Sequence, residues 1–216
     1  TSPIAGITAY AVNGTPGDTA ILGIHEVMDQ RPDVVLSGHN AGNNVARDVL
    51  LSGTIGAALH GFRNGVTSVA LSLHHVDEGS DPVIKGLTAQ VVEEVVTAKE
   101  TSLLNVNFPL LDPGACQMHN HPATSIGTRG AKNAILAPPR MADNIARDSR
   151  TNRTFFWNNR TAIDLENDTM SDDCDLALLR DGMVTVTQLT DSLGESEPSA
   201  ETQSLISNLD ARIRSA

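Results

Sequence analysis

Apolar segments that alternate between strand spacing and helix spacing fill the first half of the chain. Residues 7–12, 34–36, 68–73 and 103–108 have the composition of strands, and residues 82–99 repeat apolar positions at helical spacing. Strands that are separated by helices in this way pair side by side in parallel, with helices on both faces. The sequence therefore predicts an α/β fold with a doubly wound, Rossmann-like and mostly parallel sheet.

Capping signals place the starts of two helices in this half. Thr15 is predicted as the N-cap of a helix that has Pro16 at its first position and Asp18 as the carboxylate of a capping box. Asp18 is interpreted as this capping group rather than as a general base. A second helix is predicted to start near residues 52–54, after the second strand.

The second half of the sequence has a different character. Pro, Asn and Arg become more frequent and the apolar periodicity weakens, although residues 154–157 and 182–189 look like isolated strands. We predict an α/β core at residues 1–109 and an appended, hairpin-rich region at residues 110–193, which is often an oligomerisation device. A polar linker and a C-terminal helix are predicted at residues 194–216.

The formal net charge of -11 limits the partners that the chain can bind. A protein that binds nucleic-acid polymers needs a basic face to neutralise phosphates, so the acidic balance argues against that class. It leaves room for a small phosphorylated ligand, because a metal ion and a few N–H groups offset one phosphate locally. No apolar run approaches the ~20 residues of a membrane span. From this we predict that the chain has no membrane partner. The two cysteines form no CxxC pair, which favours a reduced, cytoplasmic protein.

A loop rich in glycine and asparagine follows the predicted strand at residues 34–36. It has the sequence SGHNAGNN at residues 37–44. In open α/β sheets, ligands bind beyond the carboxyl ends of strands, where asparagine can ligate a hard metal ion through oxygen or donate to phosphate. Glycine lets the backbone approach such a ligand closely. The other interpretation is a tight strand-to-helix turn, because Asn and Gly are ordinary turn residues.

The second helix start, Ser52-Gly53-Thr54, offers two hydroxyls and free backbone N–H groups. Such a start can hold an anion, although a simple N-cap explains the same residues. The loop and the helix start flank the same edge of the predicted sheet. Together they favour a phosphate site more than either does alone.

Three runs in this part of the chain resemble the signature of a known family. They are NGTPGD at residues 13–18, PDVVLSGHNAGNN at residues 32–44 and DVLLSGT at residues 48–54. The SurE (stationary-phase survival protein) nucleotidases typically show GTPxD, PDxVxSGxNxGxN and DVxYSGT in this order. The run LNVNFP at residues 104–109 is similar as well, and the resemblance extends to about residue 193.

The resemblance implies an activity, a cofactor and the residues that carry them. The family hydrolyses nucleoside 5′-monophosphates, and in part 3′-monophosphates, with a divalent metal cation, often Mn²⁺ or Mg²⁺. Asn40 corresponds to the family's metal-ligating asparagine. Asn44, Ser52, Gly53 and Thr54 correspond to the group that holds the phosphate, and Asn44, Ser52 and Thr54 are expected to be catalytic. A homodimer or a homotetramer is implied too.

The chain departs from the family pattern in one respect that bears on activity. The family's first strand ends in an Asn-Asp-Asp-Gly motif whose aspartates ligate the metal, and this sequence does not contain the motif. We therefore expect the family's first strand and helix to lie upstream of Thr1. An alternative is a non-catalytic nucleotide-binding or assembly module that has lost the metal-ligating aspartates. Glycosylation triplets such as the one at Asn13 leave a secreted acid phosphatase as a third interpretation.

Smaller departures lie inside the matching motifs. Leu51 replaces the usual aromatic residue, His39 stands where an aliphatic residue is common, and Arg47 stands where an acid is common. Two stretches that contain histidine, at residues 74–78 and 119–121, fit no strong zinc pattern.

Overall fold

The structure, a computed structural model, is described for most of the predicted core and for parts of the second half. The described residues are 6–73, 81–109, 131–134, 136, 141–142, 145–150, 153–158, 161–162, 171–191 and 198–215. The helices are α1 (Pro16–Leu22), α2 (Gly53–Arg63), α3 (Asp81–Ala98), α4 (Asp175–Arg180) and α5 (Ala200–Ser215). The strands are β1 (Val34–Ala41), β2 (Thr67–Leu73), β3 (Leu103–Phe108), β4 (Ala131–Asn133), β5 (Met141–Ala142), β6 (Ile145–Arg150), β7 (Arg153–Asn158), β8 (Thr161–Ala162) and β9 (Val184–Leu189). A π-helical segment at Gly23–Val27 follows α1, and a 3₁₀ segment at Ala46–Leu51 precedes α2.

Five of the strands form one mixed sheet in the order β1-β2-β3-β9-β4. β1, β2 and β3 are parallel, β9 is antiparallel to β3, and β4 is parallel to β9. Helices α3 and α5 pack on one face of the sheet, and α2 packs on the other. The predicted α/β fold is therefore confirmed. Outside the sheet, β6 pairs with β7 and β5 pairs with β8, both antiparallel.

The central strands separate apolar from polar side chains between the two faces of the sheet. Because successive side chains of a strand point to opposite faces of the sheet, one face can be apolar and the other polar. The face under α3 and α5 is apolar, with Val69, Leu71, Leu73, Leu104, Val106, Phe108, Val184 and Val186. The alternate positions carry buried polar residues beside Ala70 and Leu103, namely Ser68, Ser72, Asn105, Asn107, Thr185 and Thr187. Other parts of the chain must provide hydrogen-bond partners for this second face.

Helix α5 contributes to the larger of the hydrophobic clusters, between α3 and the sheet. Its apolar residues, including the fully buried Leu209, share one cluster with α3 and the sheet. Arg212 of α5 contacts Glu94 at 2.7 Å and Glu93 at 2.6 Å, and Asn208 donates to Glu94 at 3.2 Å. The predicted domain boundaries remain predictions.

Among the described residues, no helix combines the length and the apolar character that a membrane crossing requires.

One sequence-based strand prediction is wrong, and two strands that were predicted as isolated are paired. Residues 7–12 form no strand, and their side chains are mostly exposed, with Tyr10 at 65%. No described residue pairs with them in a sheet, so strand composition alone does not produce a strand there. The segments at 154–157 and 182–189 form strands but are not isolated. β7 pairs with β6, and β9 pairs with β3 on one side and with β4 on the other.

The second predicted strand is present as β1, which begins at Val34 and extends to Ala41. Among the described residues, β1 pairs with β2 only, at the edge of the five-stranded sheet, and Leu36 is 45% exposed. A short apolar run is typical of a strand that is buried on both faces, and it cannot by itself show whether a second neighbour is present.

The capping box at the start of α1 is confirmed. The Thr15 hydroxyl and the Thr15 N–H donate to the Asp18 carboxylate at 2.7 and 2.8 Å, and the Asp18 N–H donates to the Thr15 hydroxyl. These hydrogen bonds, the one from the hydroxyl first, hold the pKa of the Asp18 carboxyl below its usual range. Asp18 therefore has the structural role that the sequence indicated.

Gly61 lets α2 pack closely against the sheet. A Cβ at this position would lie 2.3 Å from Ser68 Oγ and 2.8 Å from Val35 Cβ. We expect Gly61→Ala to lower the free energy of unfolding by about 1–3 kcal/mol, because the helix must move away from β1 and β2. Gly56→Ala is the matched control on the same helix: its Cβ would meet open space, so a gain of about 0.5–1 kcal/mol is expected. Urea denaturation measures both, and a stabilised Gly61→Ala variant would contradict the packing.

Candidate phosphate-binding site

The candidate site lies at the edge of the sheet where β1, β2 and β3 end. β1, α2 and β2 form a strand-helix-strand unit with parallel strands, so α2 begins at the edge where β1 ends. The segment between them crosses the end of β2, where the Gly42 N–H donates to the Leu73 carbonyl at 2.7 Å. We call residues 42–46 the phosphate-binding loop from here on, after the ligand that the sequence predicts for this edge. This edge is where ligands bind in open α/β sheets.

Two glycines set the course of the backbone into this loop. Gly38 has φ 136°, and a Cβ there would lie 2.2 Å from the Leu71 carbonyl oxygen. Gly42 has φ 112° in open space. Both values lie in the region that favours glycine. The pairing of β1 with β2 is irregular between Ser37 and Asn40, and the Gly38-His39 peptide bond is cis. The glycines of the SGHNAGNN motif are thus explained by backbone geometry.

Asn40, the metal ligand implied by the resemblance, is half-buried near the end of β1. Its side-chain N–H donates to the Gly42 carbonyl at 2.6 Å, which leaves the amide oxygen available as an acceptor or ligand. A hard divalent cation needs several oxygen ligands, usually including carboxylates. Across the described ranges, no group of three or more His, Cys, Asp or Glu residues is placed to hold a metal ion. Asn40 alone does not make a complete metal site.

Asn44 is held by residues of two neighbouring strands. Its N–H donates to the Asn107 side-chain oxygen at 2.8 Å. Its carbonyl accepts from the side-chain N–H groups of Asn105 at 2.8 Å and of Asn107 at 2.9 Å. The Asn44 side chain donates to the Ser72 hydroxyl at 2.6 Å. Three of the polar residues on the α2 face of the sheet, Ser72, Asn105 and Asn107, thus form hydrogen bonds with the phosphate-binding loop.

Ser52 is the N-cap of α2, as one of the two interpretations predicted. Its hydroxyl oxygen accepts from the Ile55 N–H at 3.3 Å, and its own proton can still be donated to a ligand. Gly53 and Thr54 occupy the first turn of the helix, where N–H groups have no partner within the helix. Gly53 lies against Pro16 of α1, where an added Cβ would be 3.1 Å from the proline ring. The start of α1 therefore packs beside the start of α2.

Four residues that form hydrogen bonds with the phosphate-binding loop were not among the predicted site residues. They are Ser72, Asn105, Asn107 and Asp175. The two asparagines carry a usable signal, because asparagine is depleted in strands and here occurs twice within one. Ser72 and Asp175 carry no comparable signal in the sequence. The stretches at 74–78 and 119–121 lie outside the described residues.

Some buried polar atoms near the loop have no partner among the described residues. These are the side-chain oxygens of Asn43, Asn105, Thr185 and Thr187. Asn105 lies opposite Thr187 in the pairing of β3 with β9. The phosphate-binding loop thus does not provide hydrogen-bond partners for all the polar atoms on the α2 face of the sheet.

His39, one of the departures from the family pattern, points to α3. Its Nε2 lies 2.7 Å from the Thr88 hydroxyl, and its ring centroid lies 6.1 Å from that of Phe108. It therefore joins the end of β1 to α3 and to the end of β3.

The chain is similar in sequence to members of one known family. The profile of a family described as "Survival protein SurE" matches residues 1–133. The 5′-nucleotidase SurE of Pelotomaculum thermopropionicum is 31% identical over 193 residues, which are 86% of this chain and 66% of that protein. The 5′-nucleotidase SurE of Brucella anthropi is 33% identical over 187 residues, which are 83% of this chain and 67% of that protein.

A solved structure shows the same fold. The SurE protein from Aquifex aeolicus superposes with a TM-score of 0.59 at 24% sequence identity, over 83% of this chain and 68% of that one. The chain spans about two thirds of the length of these relatives, and less of others, such as 52% of the one from Parvibaculum lavamentivorans. The match of the family profile over more than half of the residues decides the assignment: the chain belongs to the SurE family.

Proposed function

We propose that this chain forms the phosphate-binding part of a phosphatase that hydrolyses nucleoside 5′-monophosphates, and in part 3′-monophosphates. One observation carries the proposal. The open first turn of α2 begins at the sheet edge where the phosphate-binding loop is held by β2 and β3. Relatives that match most of the chain bear the name 5′-nucleotidase SurE, which supports a nucleotide as the substrate.

The proposed roles follow from the donors at this edge. Ser52, Gly53 and Thr54 present N–H and O–H groups to an anion at the start of a helix, where the helix dipole favours negative charge. The same donors would stabilise negative charge that grows on the phosphoryl oxygens during hydrolysis. Asn44 would contribute its side-chain amide, whose position the bond to Ser72 fixes. Asn44, Ser52 and Thr54 are therefore our proposed catalytic residues.

The metal requirement is part of the proposal. Asn40 would provide one oxygen ligand to Mn²⁺ or Mg²⁺, and the described residues do not supply a full set beside it. We derive no chemical step through the ion for that reason. A homodimer or homotetramer, and a cytoplasmic location, also remain predictions.

A second candidate is a nucleotide-binding or assembly module without catalysis. The observation that favours it is that the described residues contain no group of three or more His, Cys, Asp or Glu placed to hold a metal ion. Under this alternative the start of α2 would still bind AMP, but phosphate would not be released.

Phosphate release from AMP in the presence of Mn²⁺ separates the two candidates. The 216-residue chain is assayed beside a form that carries the coding sequence upstream of it. If the longer form contains the metal-ligating aspartates that the resemblance implies, we expect it to be the active one. Binding of AMP without release in both forms would favour the module.

Asn40→Ala tests the proposed metal ligand in whichever form is active. We expect a loss of Mn²⁺-dependent turnover of about 100-fold or more, because the ion would lose a ligand. Asn64→Ala is the matched control, since Asn64 caps the opposite end of α2. Unchanged turnover in Asn40→Ala would overturn the assignment of Asn40.

A further inference from the structure

We propose that Asp175 is a positioning residue for the phosphate-binding loop. Its carboxylate holds the end of the loop and thereby sets the place of Asn44 at the sheet edge. The structural half of this inference, the ordering of the loop, stands by itself. The functional half, tighter nucleotide binding, rests on the proposed function.

The contact joins distant parts of the chain. Asp175 lies at the start of α4 and is fully buried. One carboxylate oxygen accepts from the Ala46 N–H at 2.7 Å, across 129 residues of sequence. The other accepts from the Leu176 N–H at 2.8 Å. Burying a carboxylate is unfavourable unless hydrogen bonds stabilise it, and short bonds from N–H groups to a charged oxygen are among the stronger ones.

The loop needs this contact because of the conformation of Ala46. Ala46 has φ 57°, a left-handed value that residues with a side chain rarely adopt. It begins the 3₁₀ segment, and the N-cap Val45 makes no side-chain capping bond. Asp175 therefore does for this segment what a capping side chain does for a helix. Without its acceptor, the buried Ala46 N–H would lose a partner in the interior, which is unfavourable.

The hydrogen bond between Ala46 and Asp175 affects the position of Asn44 because the loop is held at several points. The Gly42 N–H bonds to Leu73 at the end of β2, and the Asn44 backbone bonds to Asn107 of β3. The bond from Ala46 to Asp175 holds the remaining end. Release of that end would free the backbone that leads from Asn44 towards Ser52. Asp175 acts on a ligand only through this backbone.

Hydrogen exchange measured by NMR on the 216-residue chain tests the structural half. We expect Asp175→Ala to raise the exchange rate of the Ala46 amide about tenfold or more, because its acceptor is gone. Leu178→Ala is the matched control: Leu178 is buried on the same helix but packs with Ala134 and Met183. It should weaken α4 and leave the Ala46 rate within about twofold of the wild-type rate.

The outcomes separate a positioning role from a general loss of stability. Asp175→Asn keeps the volume and one acceptor oxygen, so its Ala46 rate should fall between those of the wild type and Asp175→Ala. It also serves as the test variant if Asp175→Ala does not fold. An Ala46 rate that does not change, or that rises equally in Leu178→Ala, would overturn the positioning role.

Calorimetric titration with AMP in the presence of Mg²⁺ tests the functional half. We expect the Kd of the folded Asp175→Ala chain to rise about tenfold, and that of Leu178→Ala to stay at the wild-type value. Wild-type affinity in Asp175→Ala would show that the contact does not serve binding. A wild-type chain that binds no AMP would instead contradict the proposed function, while the exchange rates would still decide the role of Asp175.

Discussion

Gly38→Ala is expected to lower the free energy of unfolding by about 3 kcal/mol or more. Two causes add at this position. The backbone has φ 136°, and the new Cβ would lie 2.2 Å from the Leu71 carbonyl oxygen, which cannot rotate away as a side chain could. β1 would have to separate from β2 just before the phosphate-binding loop. Urea denaturation measures the loss.

Gly42→Ala separates the two causes. Gly42 has φ 112°, but a Cβ there would meet nothing within 4 Å. Its cost is therefore backbone strain alone, about 1–3 kcal/mol. Gly38→Ala should cost clearly more than Gly42→Ala, and equal losses would show that β1 moves to relieve the contact with Leu71.

Leu209→Ala is expected to cost about 2–5 kcal/mol, because it removes a fully buried side chain from the larger core. Leu22→Ala is the control, since Leu22 also lies on a helix but is 40% exposed, and a change of about 0.5 kcal/mol is expected there. Circular dichroism in increasing urea measures both variants. If α5 folds with the core, Leu209→Ala shifts one common transition. A separate early loss of helix would contradict the shared core.

The sequence predicted those elements that are determined by hydrophobic spacing or by capping residues within the element itself. The start of α2 at Ser52, the helix α3 and the strand β3 lie where the pattern placed them, within a residue or two. The capping box of α1 is also local and was found. Each of these elements is specified by residues within a few positions of one another, which a single sequence displays directly.

The sequence did not predict features that depend on distant partners. Residues 7–12 have strand composition, but a strand needs a neighbour to pair with. β9 looked isolated because its two neighbours, β3 and β4, lie far away along the chain. At the candidate site, the resemblance predicted the motif residues but not the side chains that form hydrogen bonds with them. Ser72 and Asp175 have ordinary neighbours, and only the folded chain shows their contacts with the loop.

The bond between Ala46 and Asp175 has a consequence for the order of events during synthesis. A ribosome adds residues from the N-terminus at roughly 5–20 per second, so the two partners emerge several seconds apart. During that interval β1, α2 and β2 can already pair, since their contacts are close along the chain. The turn at Ala46 has to wait for α4. A nascent chain that stops short of α4 would thus carry every motif residue of the site without the contact that fixes the end of the loop.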